Sequence, residues 1–517
     1  MGNRVLTMAL VLSLLTGMVA LASPGPGATQ SDRCPPLSPP TGPTITISSE
    51  PELRNQAYNA AAGTTIMIEA GVYHMENIIH VVNDGITIRG ATGQREGVIL
   101  DLGGMGTGHM HGFLIDADDI TIADLTIRSV GNHGVSVQGK DRPILYNLHI
   151  LDTGQQIVKI NPGSDWSEDG LLACSRLEYT SSAPTDYTNG ISAHRTRNWV
   201  IRDNEWYRIR GNEGYTGPTI LFWNESSDTV VERNLLIDCY RGIAFGNPGE
   251  SGVNHTGGFV RNNFIYSSLE HDVAIEMTRA QGWLVAHNTA MLLNPSPGLT
   301  WGMEARYPES QGTFAYNLTN MNILHDRDGA QGTLVGNVTN AGVDWFVDAT
   351  SGDLHLTSTA SGAIDQAATL ANVSDDYDGD ERPIGAAPDV GGDEYGTPPP
   401  AAVTDLRVSQ AVTDTGTLSG TLRWTAPADG ITYTLRYSGT LISDTNWDSA
   451  VAIAVPFTAS APGSTEWLTT SVPYTGGSAC FALKSQNGAG DWSALSNNGF
   501  WPHLDVYLPL VLRGYGP

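Results

Sequence analysis

Six side chains in the middle of this chain are of types that do chemistry on polar substrates: Lys159, His194, Trp223, Arg241, Glu276 and Glu304. A lysine or histidine with its pKa tuned towards neutrality can take the proton α to a carboxylate. A pair of carboxyls can act as acid and base on a glycosidic bond, ~5 Å apart with retention and wider with inversion. Glu276 and Glu304 could instead share calcium, a hard cation that takes oxygen ligands. Arg241 could hold a carboxylate through two parallel bonds, and an exposed Trp223 on a polar face would be informative as a stacking platform. Each has a plainer reading: solvated surface glutamates, a lysine laid over a sheet, a structural ion pair.

The chemistry needs one surface, and strand register predicts one. Seven strands align by apolar pairs: Val135/Val137, Val158/Ile160, Ile191/Ala193, Ile220/Phe222, Ile243/Phe245, Val273/Ile275 and Trp301/Met303. Side chains alternate between the two faces of a strand, so residues between and beside these pairs face outward. A further column, counted as outward although it stands two residues before each pair, on the approach to the strand, reads His133, Gln156, Asn189, Pro218, Arg241, His271, Leu299. The middle column reads Ser136, Lys159, Ser192, Leu221, Ala244, Ala274, Gly302. The last reads Gln138, Asn161, His194, Trp223, Gly246, Glu276, Glu304, with Arg195, Asn224, Arg279 and Arg306 in the turns beyond. On this register His194, Trp223, Glu276 and Glu304 all point to solvent from one sheet.

The elements that carry these columns repeat. Trp199–Asn204 is answered by Thr229–Asn234, and Gly217–Asn224 by Tyr240–Asn247. Short runs of β-branched and aromatic residues bounded by Gly, Asn, Asp and Ser are strand signals, and their recurrence every 20 to 30 residues is a solenoid signal. A small polar pivot recurs at Asp124, Asn147, Asn204, Asn234, Asn263, Asn288, Asn317 and Asn337, with Arg176 as the outlier. Stacked asparagines can bond along a ladder, and Asn tolerates left-handed geometry. The expectation is an all-β chain: a parallel β-helix over residues 44–394, with a short helix within Glu50–Ala62 capping its open end.

The ends differ in character. Met1–Ala22 has one basic residue, an apolar run and Ala20-Leu21-Ala22, as in a secretory signal peptide. This predicts export, to the medium or the cell surface. Residues 23–43, dense in Pro and Gly, read as a flexible leader, and residues 395–401 as a linker. Residues 402–502, with alternating strands around Trp424, Tyr433–Tyr437 and Cys480–Lys484, predict a small β-sandwich. Residues 503–517 form a tail too short to span a bilayer. A net charge of −27 argues against nucleic acid, which needs clustered Lys and Arg. None of Cys34, Cys174, Cys239 and Cys480 has metal-finger spacing; Cys174 and Cys239 read as buried thiols. Asp376–Asp380 reads as a solvated acidic turn, with calcium as the alternative.

With these residues in view, the solenoid resembles the right-handed parallel β-helix of the pectate-lyase-like superfamily, in which an Asn ladder marks a turn and long loops precede the first strand. Ser181–Asn189, Gly211–Pro218 and Asn294–Gly298 are such loops. The resemblance implies that the aligned strands form the family's first sheet, whose outer face is a saccharide cleft. It would be walled by the loops and would use His133, Asn161, Asn189, Trp223, His271 and Arg306 to bind. Neither a pectate-lyase signature nor the polygalacturonase aspartate pattern is evident. The C-terminal part resembles a fibronectin type III domain through Trp424, the Tyr433/Tyr437 strand and the closing Asp491–Asn497. Together these imply a monomeric, secreted polysaccharide-active protein, a lyase or hydrolase on an acidic glycan. The alternative is a non-catalytic glycan-binding or surface protein. Lys159 and Glu276 would stand four strands, ~19 Å, apart, within reach of one oligosaccharide but not of one catalytic centre.

Overall fold

The computed structural model describes residues 33–106, 110–163, 165–396, 400–428, 430–487 and 492–501, without the side chain of Gln410. The expected signal peptide, the start of the leader, residues 397–399 of the linker and the tail lie outside these residues. The chain is all-β, a parallel β-solenoid accompanied by smaller antiparallel sheets. It divides into two compact units, one ending at Tyr395 and one beginning at Gly396.

In the first unit, parallel strands stack coil on coil around one continuous apolar core, from Ile47 and Leu53 to Phe314 and Ala330. The helix is Glu50–Asn59, and its Leu53 and Ala57 enter that core. One face is a ten-stranded sheet. It contains Val135–Gln138, Val158–Asn161, Ile191–His194, Ile220–Trp223, Ile243–Phe245, Ile275–Thr278, Trp301–Arg306 and Asn322–Arg327.

The polar ladder exists, with its start displaced. Asn204, Asn234, Asn263, Asn288 and Asn317 each donate from Nδ2 to Oδ1 of the next member, ending at Asn337, at 2.9–3.0 Å. The slot before Asn204 belongs to Ser175, whose N–H donates to Asn204 Oδ1 at 3.0 Å, and not to Arg176. Asp124 and Asn147 sit one residue early, because Leu125 and Leu148 stand in register with Ser175. Their place is the left-handed one: each slot follows a residue with φ near +55°, including Asp124, Asn147, Cys174, Asp203, Arg233, Asn262, His287 and Tyr316. That conformation is uncommon outside glycine. The ladder holds it by bonding across it, since Asn234, Asn263 and Asn288 also donate to the carbonyl two residues back at 3.0–3.1 Å.

The leader and the acidic loop both depart from expectation. Residues 33–43 are not free along their length. Cys34 is disulfide-bonded to Cys174, so Cys174 is not a thiol, whereas Cys239 is a buried one. Arg33 pairs with Asp203 at 3.3 Å, Tyr146 Oη donates to Pro35 O at 2.6 Å, and Arg89 donates to Ser38 O at 3.0 Å. The acidic loop is not a solvated turn either. Asp376 is buried and accepts the N–H groups of Asp378, Asp380 and Glu394 at 2.9–3.1 Å. Nearby, Arg382 and Glu394 form a buried ion pair, so the loop closes onto the solenoid through matched polar groups.

The second unit has a three-stranded and a four-stranded antiparallel sheet. Leu418, Leu422, Trp424, Leu435, Leu468 and Phe481 pack between them.

Candidate functional site

The ten-stranded sheet carries the candidate residues on its outer side, and its register is two residues off expectation in two coils. Ile243 pairs with Ile275 and Ile275 with Met303, so Ala244, Glu276 and Glu304 lie side by side. The inward pairs there are Ile275/Met277 and Met303/Ala305, not Val273/Ile275 and Trp301/Met303. An even shift preserves which side a residue faces, so Glu276 and Glu304 still point away from the core. They move into the middle column behind Lys159, Ser192 and Leu221. His271, displaced with them, comes level with Cys239, whose O it bonds at 2.9 Å, and not with Arg241.

Outward does not mean exposed here. Glu276 and Glu304 are 1% and 2% exposed, a correction to the expected solvent-facing pair. Burying a carboxylate is tolerable only with partners, and each has a guanidinium. Arg241 bonds Glu276 and is itself paired with Asp272 at 3.2 Å. Arg327 bonds Glu304 at 2.5 Å. Desolvation, then the neighbouring Glu276 charge, pushes Glu304 up to about 7 against the pull of Arg327 and Arg306. Calcium takes six to eight oxygens. A carboxylate pair already matched by two arginines does not fit that donor set.

Between these glutamates and Lys159 lies a cleft of about 270 Å³. Gln156, Lys159, Ser192, Leu221, Trp223 and Glu276 form its floor, and Asp186–Asn189, Gly217–Pro218 and Asn247–Pro248 contribute to its sides. Two of the three long loops expected as walls therefore line it; Asn294–Gly298 does not. Lys159 is buried, with Nζ 3.1 Å from Ser192 Oγ and 2.7 Å from His194 Nε2. Burial alone lowers its pKa to about 8. Burial and then the lysine charge lower His194 to about 4, so the imidazole is neutral and accepts at Nε2. Trp223 is half-buried, not freely exposed, with its ring 4.3 Å from that of His194. Four polar atoms on the cleft lining are buried without a hydrogen-bond partner: Gln156 Oε1, Trp223 Nε1, Glu276 Oε1 and Arg241 Nε, the last within ion-pair reach of Asp272.

The other expected binding residues separate. Asn189 lines the cleft, and its amide donates to Pro218 O at 2.6 Å. Asn161 ends the strand of Lys159 and pairs in register with Gln138, off the cleft lining. His133 is buried against Gln156 O at 3.1 Å, and burial with the adjacent His111 holds it down at about 3. His271 is likewise buried and held at about 4, first by desolvation. Neither imidazole reaches the cleft. Arg306 pairs with Asp328 at 2.7 Å, away from it.

The sequence reading passed over Gln156, which stood in an outward column without being singled out, and Arg327. Arg327 lies on the strand Asn322–Arg327, one beyond the seven aligned pairs, where the register continues. A different group, His355, Asp378 and Asp393, brings three ligand atoms within 4.8 Å of one another. There the histidine supplies the positive charge. Burial opposes its protonation, but Asp378, Asp393 and Asp353 overcome this and raise it to about 10.

No family model matches this chain, and no curated protein matches it. Among solved structures it is similar to an alginate lyase from Paenibacillus sp. str. FPU-7, at 14% identity over 58% of this chain and 99% of that one, TM-score 0.34. It is also similar to the PL6 family polysaccharide lyase Pedsa3628 from Pseudopedobacter saltans, at 11% identity over 58% and 94%, TM-score 0.34. A third is the tailspike protein of E. coli bacteriophage HK620 in complex with a pentasaccharide, at 12% identity over 83% and 86%, TM-score 0.37. Likeness of this degree carries no argument about activity. Among the described residues no helix is long and apolar enough to cross a membrane.

Proposed function

We propose that this protein acts on an acidic polysaccharide as a lyase, with Lys159 as the base. One observation carries the reading: a lysine held near pKa 8 by burial opens onto a cleft lined by unpartnered polar atoms. A base poised near the working pH is what proton abstraction from carbon requires. In the reaction the neutral amine takes the proton α to a uronate carboxylate. The C–H electrons form a double bond to the β carbon, and the glycosidic oxygen there leaves with the bonding pair. His194 and Ser192 orient Nζ, and Trp223 stacks on a neighbouring sugar. The C-terminal unit, whose Trp424 and Tyr433/Tyr437 strand resemble a fibronectin type III domain, serves as spacer or adhesion module, and the protein is exported.

A second reading rests on Glu304. A carboxyl protonated up to about pH 7 beside Glu276, one strand spacing away at ~4.8 Å, has the arrangement of a retaining glycosidase. Incubation with alginate and with polygalacturonate, with and without calcium, separates the two. Under the lyase reading ultraviolet absorbance from unsaturated ends rises, falls at least about a hundredfold in Lys159→Met, and persists in Glu304→Gln. Reducing ends without unsaturation, lost in Glu304→Gln, would establish the hydrolase. Binding with no product would leave a glycan-binding protein.

A further inference from the structure

The second unit presents an outer sheet face whose chemistry the fold does not use. The strands Arg407–Asp414, Thr417–Thr425 and Thr465–Pro473 pair antiparallel. Their inner residues, Val408, Leu422, Leu468 and Val472 among them, fill the core. On the opposite face, register aligns Arg407 with Arg423 and Arg423 with Trp467 in one row across the sheet. The next row is Ser409, Thr421 and Thr469, and beyond it Ser419 faces Ser471. Thr421 bonds Thr469 at 3.0 Å and Ser419 bonds Ser471 at 2.7 Å, so the hydroxyl rows form a flat polar surface.

Two features of the row are costly to the isolated chain. Trp467 is 64% exposed, one of the largest apolar side chains left in solvent. Like charges directly opposite one another on a sheet are destabilising, and Arg407 faces Arg423. Acids are abundant in this chain, 54 against 27 basic residues. Yet Arg407 and Arg423 are the two arginines, among the described residues, with no side-chain hydrogen bond or ion pair. Asp405, two residues before Arg407, is engaged by the N–H of Thr425 at 2.9 Å and its hydroxyl at 2.7 Å.

We propose that this face binds a carboxylated polysaccharide, with Trp467 stacked on a sugar ring and Arg407 and Arg423 taking carboxylates of the same chain. Arginine forks match carboxylates through two parallel bonds, and an indole offers a sugar a flat apolar surface at low entropic cost. Two cations beside one indole, on a protein at −27, suit a glycan that offers carboxylates and sugar faces together. They do not suit a nucleic acid, whose charge spacing calls for a dense basic track. The ligand class is that of the proposed function, but the site is separate and non-catalytic, able to hold the protein on a substrate polymer.

The test uses the full chain with Trp223→Ala, which removes stacking in the solenoid cleft, so that failure of the cleft to bind glycan leaves the readout intact. Affinity electrophoresis through alginate, polygalacturonate, neutral dextran and a single-stranded DNA oligonucleotide gives the retention. Retention by the two polyuronates should fall about tenfold on adding Trp467→Ala or Arg423→Gln. It should weaken with salt, and the melting temperature should stay within about a degree because both side chains are exposed. Retention unchanged by either substitution would overturn the proposal. So would equal retention by dextran, or stronger retention by DNA.

Discussion

Lys159 and Glu304 have displaced pKa values with the same first cause, loss of water, and the displacement has opposite signs. Lys159 holds its proton only below about 8, against 10.5 when solvated. Between those values the unfolded chain binds more protons, so stability rises with pH there. Glu304 keeps its proton up to about 7, against 4.5; the folded chain binds more protons across that window, so stability falls as pH rises through it. Melting temperature against pH should therefore lose its upper slope in Lys159→Met and its lower slope in Glu304→Gln. Unaltered slopes in either variant would mean that the group titrates normally. Sequence reading found both residues, because outward parity follows from alternation alone. It did not find their burial, because the covering groups, Arg241, Arg327 and the loop Asp186–Asn189, come from other coils and from chain without periodicity.

At the scale of the element, the ladder is where a small change should cost most. Asn263 donates to Val231 O, Arg261 O and Asn288 Oδ1 and accepts from the backbone and side chain of Asn234, all at 2.9–3.0 Å. Asn263→Ala leaves several of these groups buried and unpaired and withdraws the brace across Asn262, which is left-handed at φ 53°. The expected loss is about 3 kcal/mol in chemical denaturation. Asn337→Ala, at the end of the run and only partly buried, should cost less than half as much. Equal losses would show that the ladder does not act cooperatively. The ladder from Asn204 to Asn337 was legible because asparagine is repeated in the slot. Its start was not, because Leu125, Leu148 and Ser175 fill the same slot without an amide, while Asp124 and Asn147 one residue earlier imitate it.

For the whole molecule, the telling feature is the segment before the first strand. Proline-rich composition predicts freedom, and composition carries no information about a cysteine 140 residues away. The disulfide from Cys34 to Cys174 ties residues 33–43 to the side of the solenoid. There Arg33 also reaches Asp203 at 3.3 Å and Asp378 at 3.6 Å, so one short strap touches both the middle coils and the loop that closes the end. A crosslink over so long a loop acts chiefly by restricting the unfolded chain, and typically contributes 2–4 kcal/mol. Cys34→Ser should therefore lower the denaturation midpoint by an amount corresponding to about 3 kcal/mol, and reduction of the wild-type protein should reproduce it. Reduction should have no further effect on Cys34→Ser, since Cys239 and Cys480 are free. Lys159 is not among the strap's partners, so product formation should survive the loss of the bond at temperatures well below melting. Activity lost in parallel with the disulfide, while the fold persisted, would instead make the strap part of the site.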